Sequence, residues 1–241
     1  MTDPTVYIGK DLEAMSITVN YQRWIFDGFL PFIGDHVVEV GAGTGSFSEL
    51  LVQAAPETLA LVEPSEMFDK LTQTVGLTGT KTAVDFYRSI FVNAAGEICK
   101  KQRPDSLIYV NVLEHIEDDR AELELIYDSL VPGGHVMIFV PALMSLYSEF
   151  DRMIGHFRRY SKPELEEKCR GAGFQIVRSR YFDFAGIVPW FIKLKLLRSR
   201  YLNADAVKAY DRLVIPLVRR LESAITPLIG KNVLLVARRP D

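Results

Sequence analysis

Two periodicities alternate along this chain. Short runs of strand length, rich in apolar and β-branched residues, are separated by stretches whose apolar positions recur three and four apart. The runs predict seven strands: His36–Val40, Thr58–Val62, Lys81–Phe86, Asp105–Val110, His135–Val140, Phe174–Tyr181 and Asn232–Arg238. The helical period predicts helices over Ser46–Ala55, Glu66–Val75, part of 89–101, Asp118–Leu130, and from Ser161-Lys162-Pro163-Glu164 to Gly171-Ala172-Gly173. Ser161 and Glu164 stand at capping-box spacing, and Ser65 is a ready N-cap. Residues 11–33 read as an amphipathic helix carrying Ile17, Tyr21, Trp24, Ile25 and Leu30, ended by Pro31 and Gly34-Asp35.

Strand–helix alternation across 36–181 predicts an α/β fold with a parallel sheet covered on both faces. Residues 141–160 follow neither period and read as irregular. About fifty residues of helical character, 182–231, form an insertion before the last strand at 232–241. The organisation expected is one domain: a helical cap over 1–35, a core over 36–181, the insertion and the final strand.

Composition supports one large core rather than two small ones: 241 residues, 48% hydrophobic and 24% charged. Cys99 and Cys169 lie far apart without metal-like spacing, as free thiols of a reducing compartment do. Asp3, Asp11 and Glu13 interrupt the N-terminus where a signal peptide needs an apolar core. No uncharged apolar window is long enough to span a bilayer. A cytoplasmic location is therefore expected.

Charge is unevenly spread. Residues 193–241 hold 11 Lys/Arg and four acids, a net +7 that leaves −10 for residues 1–192. Upstream lies apolar Phe182-Asp183-Phe184-Ala185-Gly186-Ile187-Val188-Pro189-Trp190-Phe191-Ile192, followed by Lys193, Lys195, Arg198 and Arg200. Two readings stand: peripheral contact with anionic lipid or a phosphorylated acceptor, or a solvated helix face packed on the sheet. A pI near 5.9 and the lack of an aromatic-basic module argue against a nucleic-acid partner.

Chemistry concentrates at Val37-Val38-Glu39-Val40-Gly41-Ala42-Gly43-Thr44-Gly45, a strand that runs through a glycine turn into a helix. Such a turn lets a nucleotide touch the backbone near a helix N-terminus. The spacing is G-x-G-x-G, not the dinucleotide G-x-G-x-x-G. Glu63 follows Gly45 by 18 residues, at the tip of the second strand, where a carboxylate can accept from both ribose hydroxyls.

Together with Asn111-Val112-Leu113-Glu114-His115-Ile116 after strand four and Leu130-Val131-Pro132-Gly133-Gly134 before strand five, these motifs resemble those of class I S-adenosylmethionine-dependent methyltransferases. The resemblance covers roughly residues 36–181. Asn20-Tyr21-x-x-Trp24 and Ser148-Glu149-Phe150-Asp151-x-x-x-Gly155-His156-Phe157-Arg158-Arg159-Tyr160-Ser161 are similar to a bacterial subgroup often encoded near, or fused to, glycosyltransferases. The family implies a Rossmann-like seven-stranded sheet in the order 3-2-1-4-5-7-6, with the last strand antiparallel. It implies S-adenosyl-L-methionine as cofactor and a small-molecule acceptor. The subgroup and the basic tail point to a glycan or lipid-linked glycan intermediate.

Carried onto this sequence, the family's cofactor contacts are Gly41, Ala42, Gly43 and Gly45 for the methionine and sugar, and Glu63 for the ribose. Pro64 and Met67 would flank adenine, and Asn111 and Val112 would line the sulfonium end. Glu39 either fixes loop N–H groups or meets the cofactor's ammonium. Tyr21 and Trp24 either cover the cofactor or pack in the core. Adenine contact after strand three falls to Asp85 or Ser89. His156, with Tyr147 in the same polar segment, and His115 are the candidate catalytic residues. Each His is a base for a hydroxyl acceptor or a residue that orders its loop. No His/Cys/Asp cluster stands at metal-ligand spacing, so no metal is expected. Two other functions fit parts of the pattern: a nicotinamide-dependent oxidoreductase, and a non-catalytic cofactor-binding protein of methyltransferase fold.

Overall fold

The structure, a computed structural model, describes residues 18–75, 80–197, 199 and 203–241. Seven strands form one sheet in the order β3-β2-β1-β4-β5-β7-β6. They are β1 (His36–Val40), β2 (Thr58–Val62), β3 (Ala83–Tyr87), β4 (Ser106–Val110), β5 (His135–Pro141), β6 (Gln175–Phe182) and β7 (Asn232–Arg238). The first five pair in parallel; β7 inserts antiparallel between β5 and β6. This is the expected Rossmann-like order.

The central strands read as unbroken apolar runs because both faces are buried. On β1, Val38 and Val40 join one cluster with Ala60, Leu107 and Tyr109, whereas Val37 joins the opposite one with Leu59, Ile108 and Met137. Helices α1 (Val19–Phe29), α2 (Ser48–Gln53) and α3 (Phe68–Thr74) cover the Val37 face. Helices α4 (Phe91–Gln102) and α5 (Asp119–Ser129) cover the other.

The expected helix over 11–33 is α1, closed by a 3₁₀ turn at Leu30–Phe32 where Pro31 enters; residues 11–17 lie outside the described residues. Its N-terminus has no local cap. Asp211, from far along the chain, accepts from Asn20 N (3.1 Å) and Tyr21 N (2.8 Å). The segment 141–160 is not wholly irregular. It holds α6 (Glu149–Met153), started by a capping box between Ser148 and Asp151, before α7 (Lys162–Gly171).

The insertion contains α8 (Ile187–Trp190), running into a π-helical stretch over Phe191–Leu196, and α9 (Ala204–Ala209). A second π-helical stretch, Tyr210–Val214, leads into α10 (Ile215–Ala224). Buried charges pin it to the sheet. Asp183 accepts from Tyr210 Oη (2.7 Å) and pairs with Lys231 (3.0 Å), and Glu222 pairs with Arg180 (2.9 Å).

Candidate active site

The glycine turn leaves β1 at the C-terminal edge of the sheet, where β2 and β4 also end. Gly41, Gly43 and Gly45 all have positive φ, at +73°, +55° and +89°. Their surroundings differ. A Cβ on Gly41 would lie 2.4 Å from Val112 Cγ2, so this glycine is needed for packing against the β4 loop. A Cβ on Gly43 would meet nothing within 4 Å. Space is therefore open directly above the Gly43 backbone.

Glu63 borders that space. Its Oε2 accepts from Gly43 N (2.7 Å) and its Oε1 from Ser65 N (2.9 Å). These bonds fix the carboxylate and still leave lone pairs for two ligand hydroxyls. Pro64 and Met67 follow on the same loop, with Met67 N donating to Ser65 Oγ. Asn111, at φ +54°, ends β4 by donating its N–H to Phe139 O (2.8 Å), which turns the chain so that Val112 seats on Gly41.

Glu39 is buried beneath the turn and accepts from Ser48 Oγ (2.5 Å). It thus anchors the first residue of α2, not the loop N–H groups of one expectation. Burial pushes its carboxyl up to about 8, opposed by the Ser48 bond and reinforced by the nearby Glu63 charge.

A second constellation forms where the loop after β4 meets residues 151–160. Phe157 N donates to Glu114 O (2.8 Å), and Tyr160 Oη donates within reach of Leu113 O (3.2 Å) and Asp119 Oδ2 (2.8 Å). These bonds bring the rings of His115 and His156 edge to face, 4.6 Å apart. Asp151 Oδ1 lies 3.1 Å from His156 Nδ1 and accepts from Arg159 Nε (2.8 Å). The opposite nitrogen of His156, Nε2, stands 3.8 Å from Glu114 Oε1. Burial lowers the pKa of both imidazoles, that of His115 to about 3, with His156 adding to the effect on His115. Both shifts favour the neutral rings. An imidazole oriented by a carboxylate presents a lone pair suited to a proton or a metal ion.

Thus Glu39, Gly41, Ala42, Gly43, Gly45, Glu63, Pro64, Met67, Asn111 and Val112 gather around the ends of β1, β2 and β4. His115 and His156 meet beyond β4. Tyr147 joins them only through its hydroxyl, which donates to His156 O (2.7 Å). Tyr21 and Trp24 lie elsewhere: Tyr21 is buried against Phe139 and Phe182, its hydroxyl bonded to Asn232 Oδ1 (2.9 Å), and Trp24 stacks on Phe182 at 3.7 Å. They take the core-packing alternative. Asp85 sits within β3 opposite Ala60, its carboxylate on Lys101 (2.5 Å), whereas Ser89 lies past the strand end near the Glu63 backbone. Within the polar segment Arg159 pairs with Asp151 and Arg152 with Glu149, whereas Arg158 reaches out to Asp119 at the start of α5. What sequence reasoning missed is Glu114, whose two carboxylate oxygens are buried with no hydrogen-bond partner. Only the meeting of two segments some forty residues apart exposes it.

A doubly wound sheet with a glycine cradle at β1 and an acid at β2 defines a nucleotide-cofactor enzyme fold. The chain belongs to the methyltransferase domain family, whose model matches residues 23–179, more than half its length. No curated protein sequence matches it. Among solved structures it is similar to an S-adenosylmethionine-dependent methyltransferase from Mesorhizobium loti, at 15% identity and TM-score 0.56 over 92% of this chain and 98% of that one. It is also similar to the Burkholderia thailandensis 1,6-didemethyltoxoflavin-N1-methyltransferase with bound S-adenosylhomocysteine, at 17% identity and TM-score 0.57 over 97% and 83%. The [4+2]-cyclase SpnF matches at 16% identity and TM-score 0.57 over 92% and 80%. At such identities the likeness is one of fold, and the fold hosts more than one reaction.

Proposed function

We propose that this methyltransferase moves the methyl group of S-adenosyl-L-methionine to a small-molecule acceptor presented at a membrane surface, a glycan or lipid-linked glycan intermediate. The observation that carries the cofactor assignment is the open space above Gly43 bordered by the backbone-anchored Glu63 carboxylate. The Gly41–Gly45 backbone would hold the methionine and sugar, and Glu63 the ribose hydroxyls. The bound cofactor supplies an already activated sulfonium methyl. The protein's share is alignment of the acceptor and exclusion of water. The acceptor side is the 144–160 segment with the loop after β4, and His156 stands ready to take a proton from a hydroxyl.

The insertion supports membrane presentation. Val188, Phe191, Ile192, Leu196, Leu197, Leu213, Leu217, Leu221, Ile225, Leu228 and Ile229 are all exposed. Leu213, Leu217 and Leu221 recur at i, i+4 and i+8, with exposed Arg212 and Arg220 beside them. Isolated exposed leucines need no explanation, but a row flanked by cations suits an anionic lipid interface. No helix among the described residues is long and apolar enough to cross a membrane. The contact would be peripheral.

The test is methyl transfer from radiolabelled S-adenosylmethionine into extract of cells lacking the protein, separated into organic, aqueous and macromolecular fractions. Label in the organic fraction supports a lipid-linked acceptor. Label confined to water-soluble molecules removes the membrane part, and label in none removes the whole proposal.

A further inference from the structure

We propose that Glu114, His115 and His156 form a binding site for one divalent transition-metal cation of the zinc or cobalt type, at the acceptor end of the pocket. Its location there rests on the methyl-transfer reading; the site itself does not. Each residue offers one ligand atom, and these atoms lie within 4.8 Å of one another. Two imidazoles and one carboxylate suit a borderline cation, and three protein ligands leave positions open for a further ligand.

The cluster's polar groups call for a ligand. Glu114 has zero exposure, and neither carboxylate oxygen has a hydrogen-bond partner on another residue; its own backbone N–H gives the carboxylate its one weak local contact. A buried carboxylate without donors is costly. A carboxyl proton bonded to His156 does not account for it, because 3.8 Å to Nε2 is too long for a hydrogen bond. The Arg159 charge favours the Glu114 carboxylate through space, but the guanidinium itself is held by Asp151, with Nε at 2.8 Å and Nη2 at 2.7 Å from Oδ1.

Asp151 completes the pattern. Its Oδ1 holds His156 Nδ1, and its Oδ2 accepts from Ser148 N (2.8 Å) and Ser148 Oγ (2.8 Å). The ring is thereby locked with Nε2 toward Glu114. This carboxylate–histidine relay is the outer support that metal-binding imidazoles carry. In a filled tetrahedral site, with bonds of about 2.0–2.1 Å, ligand atoms stand about 3.4 Å apart. The Glu114–His156 pair, at 3.8 Å, closes by about 0.4 Å, and the widest pair of the three, within 4.8 Å, by at most about 1.4 Å. With the cation seated, His156 Nε2 is a ligand and not a base; an acceptor hydroxyl on an open position would be acidified by the cation.

Chelator-treated full-length protein is titrated with Co²⁺ and followed by visible absorption. One saturable equivalent is expected, displaced by Zn²⁺. Glu114→Gln and His156→Ala should weaken binding at least about tenfold, and Asp151→Asn about tenfold, as loss of an outer partner does. Circular dichroism reports whether each variant folds. The wild type alone also decides: the chain has four histidines, His36, His115, His135 and His156. Zn²⁺ should shift the ring signals of His115 and His156 in ¹⁵N spectra and spare the other two. No saturable equivalent, or no shift of either ring, overturns the proposal. S-adenosylhomocysteine binding measured on the same samples tests the cofactor reading separately.

Discussion

Alanine at Gly41 and at Gly43 should separate folding from cofactor binding. Both positions have positive φ, which costs a non-glycine residue about 1–2 kcal/mol. At Gly41 the new methyl also lies 2.4 Å from Val112 Cγ2, and overpacking adds about 1–3 kcal/mol. Gly41→Ala is therefore expected to lose about 2–5 kcal/mol of stability. Gly43→Ala meets no atom within 4 Å and should lose only the backbone cost, about 1–2 kcal/mol. Its methyl enters the space assigned to the cofactor, so binding of S-adenosylhomocysteine should weaken at least tenfold. With saturating ligand, each tenfold loss of affinity removes about 1.4 kcal/mol of ligand stabilisation. Urea unfolding with and without S-adenosylhomocysteine reads both quantities. Without ligand Gly43→Ala should lose only about 1–2 kcal/mol, less than Gly41→Ala, and it should lose the ligand-induced gain. Wild-type affinity in Gly43→Ala would refute the placement of the cofactor above this residue.

Other outcomes follow from the same geometry. Glu63→Ala removes the acceptor of the Gly43 and Ser65 N–H groups and should weaken S-adenosylhomocysteine binding by about 10–100-fold, read by calorimetry. Glu39 is pushed up to about 8 by burial, so the folded state keeps a proton that the unfolded chain releases above about 4.5. Its contribution to stability is full below about pH 4.5 and declines as pH rises toward 8; Glu39→Gln should flatten that slope and exceed the wild type near pH 8 by on the order of 2 kcal/mol in urea unfolding. Asp183→Asn weakens the buried tie to Lys231 and Tyr210 and should destabilise by about 3 kcal/mol, seen as a lower denaturation midpoint. Leu217→Asp with Leu221→Asp should abolish sedimentation with anionic vesicles while leaving the unfolding free energy within about 1 kcal/mol of wild type.

Much of the fold is written locally. The β1–glycine turn–α2 passage is legible because a buried strand, a positive-φ turn and a helix each leave a separate mark between His36 and Gln53. The strand order came from family resemblance, since pairing is decided by long-range packing. Where the reading slipped, a distant partner decides. Helix α1 is capped by Asp211, and Tyr21 and Trp24 pack on Phe182, far along the chain. Asp85 sits inside β3, a register that only pairing with β2 fixes. At the site, His115 and His156 were each visible as candidate bases. Their approach to each other and to a partnerless Glu114 depends on the backbone bond between Phe157 and Glu114. The expectation of no metal considered ligand spacing along one segment, and the cluster draws on two.

The most direct test of the central claim is calorimetric titration of the full-length protein with S-adenosylhomocysteine and, in parallel, with NADH. One-to-one binding of S-adenosylhomocysteine, weakened by Gly43→Ala and by Glu63→Ala, with no heat from NADH, is the predicted result. Binding of NADH with none of S-adenosylhomocysteine would contradict the account and make the glycine cradle that of a nicotinamide enzyme.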